Sequence, residues 1–343
     1  MKILHIANPE KFTNPFFDLV EKEFEHAQHL ILSHASVNEW PEKRKIKNKN
    51  SYGISWFFDF VRAAHCADKI VLHGLWDFYA IVLLSLQPWL LSKCYWVIWG
   101  GDLYDYKSAN RNWKWKLRNF FKGYLIKRIG NLVTYVKGDV DLARDWYGAM
   151  GKYCECIMYP SNIYREYVVR SELRSTINIQ IGNSADSTNN HVEILERLIP
   201  FRDKDIAIYA PLSYGDLDYA ASVARVGKEW FGEKFVPLTN FMSVDQYRCF
   251  LGKIDIAIFN HKRQQAMGNV ITLLGMGKKV YLRSNVTSWD VFRSAGVKVY
   301  DVEFLDLELL ARDVKEKNSS IIKSEFSEQK VVEQLKGIFG AEN

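Results

Sequence analysis

The chain has 343 residues, of which 48% are apolar and 25% charged, with 20 Gly and 8 Pro. That length exceeds what one core usually organises and points to two domains of roughly 150 residues, while the composition excludes a disordered, collagenous or low-complexity protein. The net charge of +6 is uneven: residues 1–165 hold 23 Lys and Arg against 16 Asp and Glu, the remainder 23 against 24, so the N-terminal half is the one expected to meet an anionic surface or substrate.

In chain order, strand-like runs at 2–7, 29–35, 69–74, 94–100 and 131–136 alternate with helix-like segments near 14–27, 54–67, 76–91, 111–128 and 138–149. The second half repeats the alternation, with strands at 177–183, 205–211, 234–238, 254–260, 278–283 and 297–301. Its helices are expected near 189–199, 216–230, 243–252, 268–277, 287–295 and 305–317, with a terminal helix over 321–339. This is an α/β pattern of two Rossmann-like doubly wound sheets. The expected division is a domain over 1–160, a linker over 161–176, a second domain over 177–320 and the terminal segment 321–343. Such sheets bind ligands outside their strand carboxyl ends, so two of them facing each other form a cleft for a donor and an acceptor.

The longest apolar run, 78–91, is interrupted by Gln87 and Pro88, and neither a membrane span nor a secretory signal is expected. The five cysteines (66, 94, 154, 156 and 249) are scattered, which suits a reducing, cytosolic setting and matches no zinc signature.

Four segments offer chemistry. IGNSADSTNNHVEIL at 181–195 runs from a strand through Gly-Asn-Ser into a helix whose first amides suit an anion, with Asn189 or Asn190 as cap. A plain strand-to-helix turn accounts for the same letters. IFNHKRQQAMGN from 258 repeats the crossing, with His261, Lys262 and Arg263 as cations and Gln264 and Gln265 as amide donors before a helix. WVIWGGDLYDY at 96–106 puts Asp102 after two glycines at a strand end, where it can take a proton from an acceptor hydroxyl or simply cap the turn. His73 ends the preceding strand beside it.

Residues 107–128 carry eight Lys and Arg and no acid. On a helix, Trp113, Leu117, Phe120 and Tyr124 share one face and Lys114, Arg118 and Lys122 the other. The apolar face is expected on the domain's own sheet, with the cations and Trp115 offered to an anionic membrane; a basic loop at 41–50 joins them. No nucleic-acid module is present, so no nucleic-acid partner is expected. Asp139/Asp141 and Asp216/Asp218 open helices as caps, so neither a metal nor a cofactor is assigned.

Taken in order, VLHGLWDFYAIVLLS, WVIWGGDLYDY, VKGDV, IGNSADSTNNHVEIL, PLSYGD, KRQQAMGNVITLLGMGKKVYL and the SW of VTSWD resemble the enterobacterial TDP-N-acetylfucosamine:lipid II N-acetylfucosaminyltransferases, glycosyltransferase family 56, over most of the chain. The resemblance implies a two-domain B-type glycosyltransferase fold, with a TDP-type nucleotide sugar on the C-terminal domain and a polyprenyl-diphosphate-linked acceptor at the N-terminal one. It implies donor contacts at Gly182, Asn183, Ser184, Asp186, His191, Tyr214, Arg263, Gln264 and Gln265, and places His73, Trp99 and Asp102 toward the acceptor. Many B-type relatives carry a ribose-binding Glu on the helix at 268–277; this chain has none there, with Thr272 near that position. Departures at Gly101, Thr188 and Ala266-Met267 point to a related deoxy-amino sugar.

The resulting expectation is a metal-independent transferase in surface polysaccharide synthesis, serving enterobacterial common antigen or O-antigen. It would work peripherally at the cytoplasmic face of the bacterial inner membrane, with Asp102 as base if the reaction inverts. A non-catalytic nucleotide-sugar-binding protein is the competing reading.

Overall fold

The computed structural model describes residues 1–10, 12–33, 47–50, 53–107, 111–166 and 175–340. In the first part of the chain the elements are β1 (Lys2–Ile6), α1 (Thr13–Glu23), β2 (Gln28–Ser33), β3 (Lys47–Asn50), α2 (Gly53–Cys66), β4 (Lys69–His73) and α3 (Phe78–Ser85). They continue with β5 (Cys94–Val97), α4 (Gly101–Tyr104), α5 (Trp113–Arg128), β6 (Asn131–Val133), α6 (Lys137–Tyr147) and β7 (Lys152–Cys154). The second part holds β8 (Ile177–Ile181), α7 (His191–Leu198), β9 (Ile206–Pro211), α8 (Leu217–Phe231), β10 (Phe235–Leu238), α9 (Val244–Lys253) and β11 (Ile256–Phe259). It ends with α10 (Met267–Gly275), β12 (Lys279–Leu282), α11 (Thr287–Ser294), β13 (Tyr300–Asp301), α12 (Arg312–Glu325) and α13 (Glu328–Phe339).

Among the described residues the first sheet runs β3-β2-β1-β4-β5-β6-β7 and the second β10-β9-β8-β11-β12-β13. Every pairing is parallel. Parallel sheets are covered on both faces, which is why strands such as IAIF of β11 are wholly buried. Two compact units follow: residues 1–163 with 328–343, and residues 164–327. The last helix therefore returns to the first unit, where Gln334 Oε1 accepts from Ile157 N at 2.9 Å and Phe339 is fully buried.

Local chemistry sets the helix starts. Asp77, Asn112 and Asp216 cap α3, α5 and α8 by accepting from the third amide on, and Ser243 with Gln246 forms a capping box on α9. Several expectations need correction. The segment KNKN of β3 has no apolar residue, yet it pairs with β2 as a charged edge strand rather than a loop; the rest of the basic run, 41–46, lies outside the described residues. The strand read over 94–100 stops at Val97 and gives way to α4. The segment 76–91 is a short α3 followed by a 3-10 turn over Pro88–Lys93, because Pro88 cannot continue the helix.

The helix expected at 305–317 begins only at Arg312. Tyr281 Oη on β12 bonds the backbone N and O of Asp306, each at 3.0 Å, and holds that segment extended. The terminal segment read as one helix from 321 is divided between α12 and α13 by Phe326 and Ser327.

Candidate active site

In the second unit the chain leaves β8 through Gly182, at φ +62°. A Cβ there would lie 2.4 Å from His191 Nε2 and 2.7 Å from Asn189 Oδ1, so glycine alone lets α7 close onto the strand end. Asn189, fully buried, ties the turn together. Its Oδ1 accepts from Asn183 N at 2.9 Å and from His261 Nε2 at 2.8 Å, while its Nδ2 donates to Asp186 O at 2.9 Å and Ser184 Oγ at 3.3 Å. Asn183 Nδ2 donates to Tyr214 Oη at 3.1 Å.

The second crossing meets the first directly, because β11 is the neighbour of β8. Asn190 Nδ2 donates to Asn260 O at 3.0 Å, and the Thr188 hydroxyl bridges Asp186 Oδ1 at 2.6 Å and the Gln265 amide at 2.8 Å. Two helix starts thus open side by side. Asn190 before α7 and Ala266 before α10 both sit at positive φ, 50° and 57°, and neither residue's side chain caps its helix; the Tyr219 hydroxyl accepts from the first amide of α7, His191 N, at 3.2 Å. A left-handed alanine costs about 1–2 kcal/mol, a strain that concentrates at binding sites. Uncapped amides and the helix dipole favour an anion at such an end.

Burial alone would raise the Asp186 carboxyl, but hydrogen bonds from Thr188 and the nearby Arg263 charge bring it below its usual value. Burial drives His191 down to about 4 and His261 to about 3, the latter helped by Arg263. His261 is therefore a neutral, buried donor rather than the cation read from the sequence. The Oδ1 of Asn183 and the Oε1 of Gln180 are buried without a hydrogen-bond partner in the protein.

All nine residues expected at the donor belong to this one strand-end region. Asn189, Asn190 and Tyr219 brace this region beyond what the sequence led one to expect; the doubled Asn before His191 was the available signal for the first two.

In the first unit, Asp102 requires correction. It is 0% exposed. Its Oδ2 accepts from Leu75 N at 3.0 Å and Trp96 Nε1 at 2.7 Å, and its Oδ1 from Trp99 N and Leu103 N, each at 3.0 Å. Four N–H donors occupy the carboxylate, which locks the strand-end turn and presents no lone pair to an acceptor. His73 is 5% exposed and bonded at both ring nitrogens, from Nε2 to His5 Nδ1 at 3.0 Å and from Nδ1 to Tyr159 Oη at 2.6 Å. Trp99, half-buried, donates from Nε1 to the same Tyr159 Oη at 2.9 Å.

Helix α5 is turned relative to expectation. Trp113 and Phe120 are each 70% exposed and Leu117 is also exposed, whereas Lys122 is 1% exposed. The Lys122 ammonium donates to Asp102 O and faces Asp105, and Arg118 pairs with Asp105, so neither faces solvent as a free cation. Trp115 is half-buried, with Nε1 donating to Asp105 O at 3.3 Å. Of the cations assigned to the lipid face, Lys114 is exposed, and Lys116 and Arg111 join it there.

Two parallel doubly wound units are the architecture of the B-type glycosyltransferase fold. The fold matches a glycosyltransferase from Rickettsia africae with a TM-score of 0.67 at 12% identity over 99% of both chains. It also matches HepE of Anabaena in complex with UDP, with a TM-score of 0.68 at 12% identity over 98% of this chain and 99% of that one. An E. coli trehalose-6-phosphate protein bound with UDP-2-fluoro glucose matches with a TM-score of 0.65 at 8% identity over all of both chains. The profile of the 4-alpha-L-fucosyltransferase family, glycosyl transferase group 56, matches residues 33–327, and the chain belongs to that family.

Proposed function

We propose that the chain transfers a deoxy-amino sugar, N-acetylfucosamine or a close relative, from a TDP-type nucleotide to a polyprenyl-diphosphate-linked oligosaccharide in enterobacterial common antigen or O-antigen synthesis. The observation that carries this reading is the pair of adjacent helix starts, α7 and α10, neither capped by its own N-cap side chain, joined through Thr188–Gln265 and Asn190–Asn260 beside Arg263. The UDP bound by HepE of Anabaena supports a nucleoside diphosphate as the ligand class. In this reading the α10 amides and Arg263 stabilise the leaving diphosphate, and Asn183, Ser184, Asp186, His191, Tyr214, Gln264 and Gln265 line the donor. Binding needs no metal.

The acceptor side belongs to the first unit and to a membrane surface. No helix among the described residues is long and apolar enough to cross a membrane, which suits peripheral attachment at the cytoplasmic face of the inner membrane. Exposed Trp113, Leu117 and Phe120, flanked by Lys114 and Lys116, supply the apolar and cationic parts that interfacial binding needs.

The test is a thermal-shift series over TDP, UDP, GDP and CMP, followed by turnover with the matching sugar nucleotide and a polyprenyl-diphosphate acceptor. A ligand at 100 times its dissociation constant adds about 2.7 kcal/mol to stability. TDP or UDP is expected to stabilise the protein with EDTA present. A strict need for a divalent cation, or no response to any nucleotide, overturns the reading.

A further inference from the structure

The strand that follows α10 runs out on an arginine. Arg283 is the first residue beyond β12. Because Leu282 pairs with Phe259 of β11, Arg283 stands level with Asn260, from which the loop carrying Arg263 departs. Its guanidinium is held from two sides: Nε donates to Asn260 O at 3.3 Å and Nη2 to Glu193 Oε1 at 2.6 Å. Asn260 O also accepts from Asn190 Nδ2 at 3.0 Å, so one shared oxygen separates the Arg283 fork from the residue that opens α7. Glu193 lies in the first turn of that helix. It also accepts from Arg197 Nη2 at 3.3 Å, and the same Nη2 reaches Glu303 Oε1 and Oε2, each at 2.9 Å.

The protein uses only part of this fork. Arg283 Nη1 makes no hydrogen bond among the described residues, and it is not among the unpaired atoms sealed from solvent. The rest of the side chain is packed away, with 12% exposed. A guanidinium is planar, keeps its charge and offers five N–H donors, so fixing Nε and Nη2 also fixes the direction in which Nη1 points. Burial alone would raise the Glu193 carboxyl, but the hydrogen bond and charge of Arg283 bring it below its usual value, so the acid that aims the arginine is ionised near pH 7. Two arginines face two carboxylates here. The group as a whole is neutral, and what it offers an anion is an oriented pair of N–H donors rather than surplus charge.

We propose that Arg283 is a second diphosphate-binding residue of the donor site, donating from Nη1 to the distal phosphate, with Glu193 as the positioning residue that aims it. The proposal rests on the donor-site reading above and adds to the Arg263 loop a cation from the neighbouring strand end. The direction of the nucleotide follows from what flanks the two helix starts. Strand spacing is about 4.8 Å, so a nucleotide whose diphosphate lies over the ends of β8 and β11 extends toward β9 on one side and β12 on the other. Beyond β9 the exposed side chains are Tyr214 and Leu217, which suit a base and its ribose; beyond β12 stands the Arg283 fork, which suits phosphate oxygens. The fork is ordered by Asn260 and Glu193 before any ligand arrives, so little side-chain freedom is lost on binding.

Calorimetric titration of the intact protein with TDP and with TMP, in EDTA, tests this, because TMP lacks the distal phosphate. Arg283→Ala is expected to weaken TDP binding about tenfold and to leave TMP binding within about twofold. Glu193→Gln keeps the Arg283 charge but loosens its aim, and is expected to weaken TDP binding about threefold, again with TMP unchanged. A residue that only braced the fold would weaken both nucleotides alike, so equal losses overturn the proposal, as does an unchanged TDP affinity in Arg283→Ala. If thermal melts show that variant unfolded, Arg283→Lys carries the same test: it keeps the charge without the fork, and is expected to lose TDP affinity a few-fold with TMP unchanged, equal losses again overturning the assignment. A wild type that binds TDP while the variants match it overturns this proposal alone, whereas a wild type that binds neither nucleotide overturns the donor-site reading and this proposal with it.

Discussion

The carboxyl ends of the two sheets treat buried polar groups in opposite ways. In the first unit Asp102 meets four N–H donors and His73 is bonded at both nitrogens, so the strand ends are closed upon themselves. In the second unit the turns are braced through Asn189, yet the Asn183 and Gln180 side-chain oxygens are unpaired in the protein and neither Asn190 nor Ala266 caps its helix with its own side chain. A buried polar group costs free energy unless it is paired. Complete pairing suits internal architecture, and the incomplete pairing in the second unit suits the donor site proposed above.

What both regions share is neutral imidazole, and acid tests that most severely. The folded-state pKa of His73 and His261 is about 3, and that of His29 and His191 about 4, against an unfolded value near 6.5. Their stabilising contribution is present above 6.5 and is lost as pH falls from there toward 4 and 3. Each withdraws about 1.4 kcal/mol per pH unit over that range. Denaturant unfolding at pH 7.5 and 5.5 is expected to differ by about 5 kcal/mol; equal stability at both would mean that the rings are charged in the fold.

Asp102→Asn sharpens the contrast. The amide nitrogen would face N–H donors that now meet an oxygen, so stability is expected to fall by about 3 kcal/mol while the folded fraction keeps turnover within a few fold. Unfolding curves and kcat at low temperature separate the two. A stable variant with turnover reduced by 10²-fold or more would restore Asp102 as the base.

Arg263→Ala addresses the open side of the comparison. Loss of a charge-assisted contact is expected to weaken TDP binding by about 2 kcal/mol in calorimetric titration, with little change in melting temperature. Unchanged affinity would mean that this loop faces away from the diphosphate. The smallest effect concerns α5: Trp113→Ala is expected to weaken partitioning onto anionic vesicles by about 1 kcal/mol, near fivefold, in a sedimentation assay. Lys122→Met, at a buried position, is expected to leave partitioning unchanged.

Most of the second sheet was legible because its strands are continuous apolar runs bounded by Gly, Pro and Asn. All six of its segments form strands, and the motif at 181–195 is placed at a strand end by its sequence alone. The first sheet was less so, since KNKN of β3 and KYC of β7 are too short or too polar to signal a strand. Helix α5 misled for a different reason: periodicity gives the faces of a helix but not which one packs inward, and Lys122 is buried by reaching Asp102 O and Asp105. The hydrogen bonds of His5 with His29 and His73 were invisible because the three meet only through strand register. Asp102 was found at the right place and given the wrong task, as its donors come from backbone at 75, 99 and 103 and from the Trp96 indole, which a linear reading does not bring together.

Hydrogen–deuterium exchange with and without saturating TDP, in EDTA, tests the central claim most directly, because it locates the nucleotide without requiring the sugar or the acceptor. The expected result is slowed exchange confined to peptides spanning 182–193 and 261–270, the two helix starts and the turns that brace them, with the sheet of the first unit unchanged. Protection confined to other segments, or none at saturating TDP and UDP, would contradict the assignment of these strand ends as the donor site.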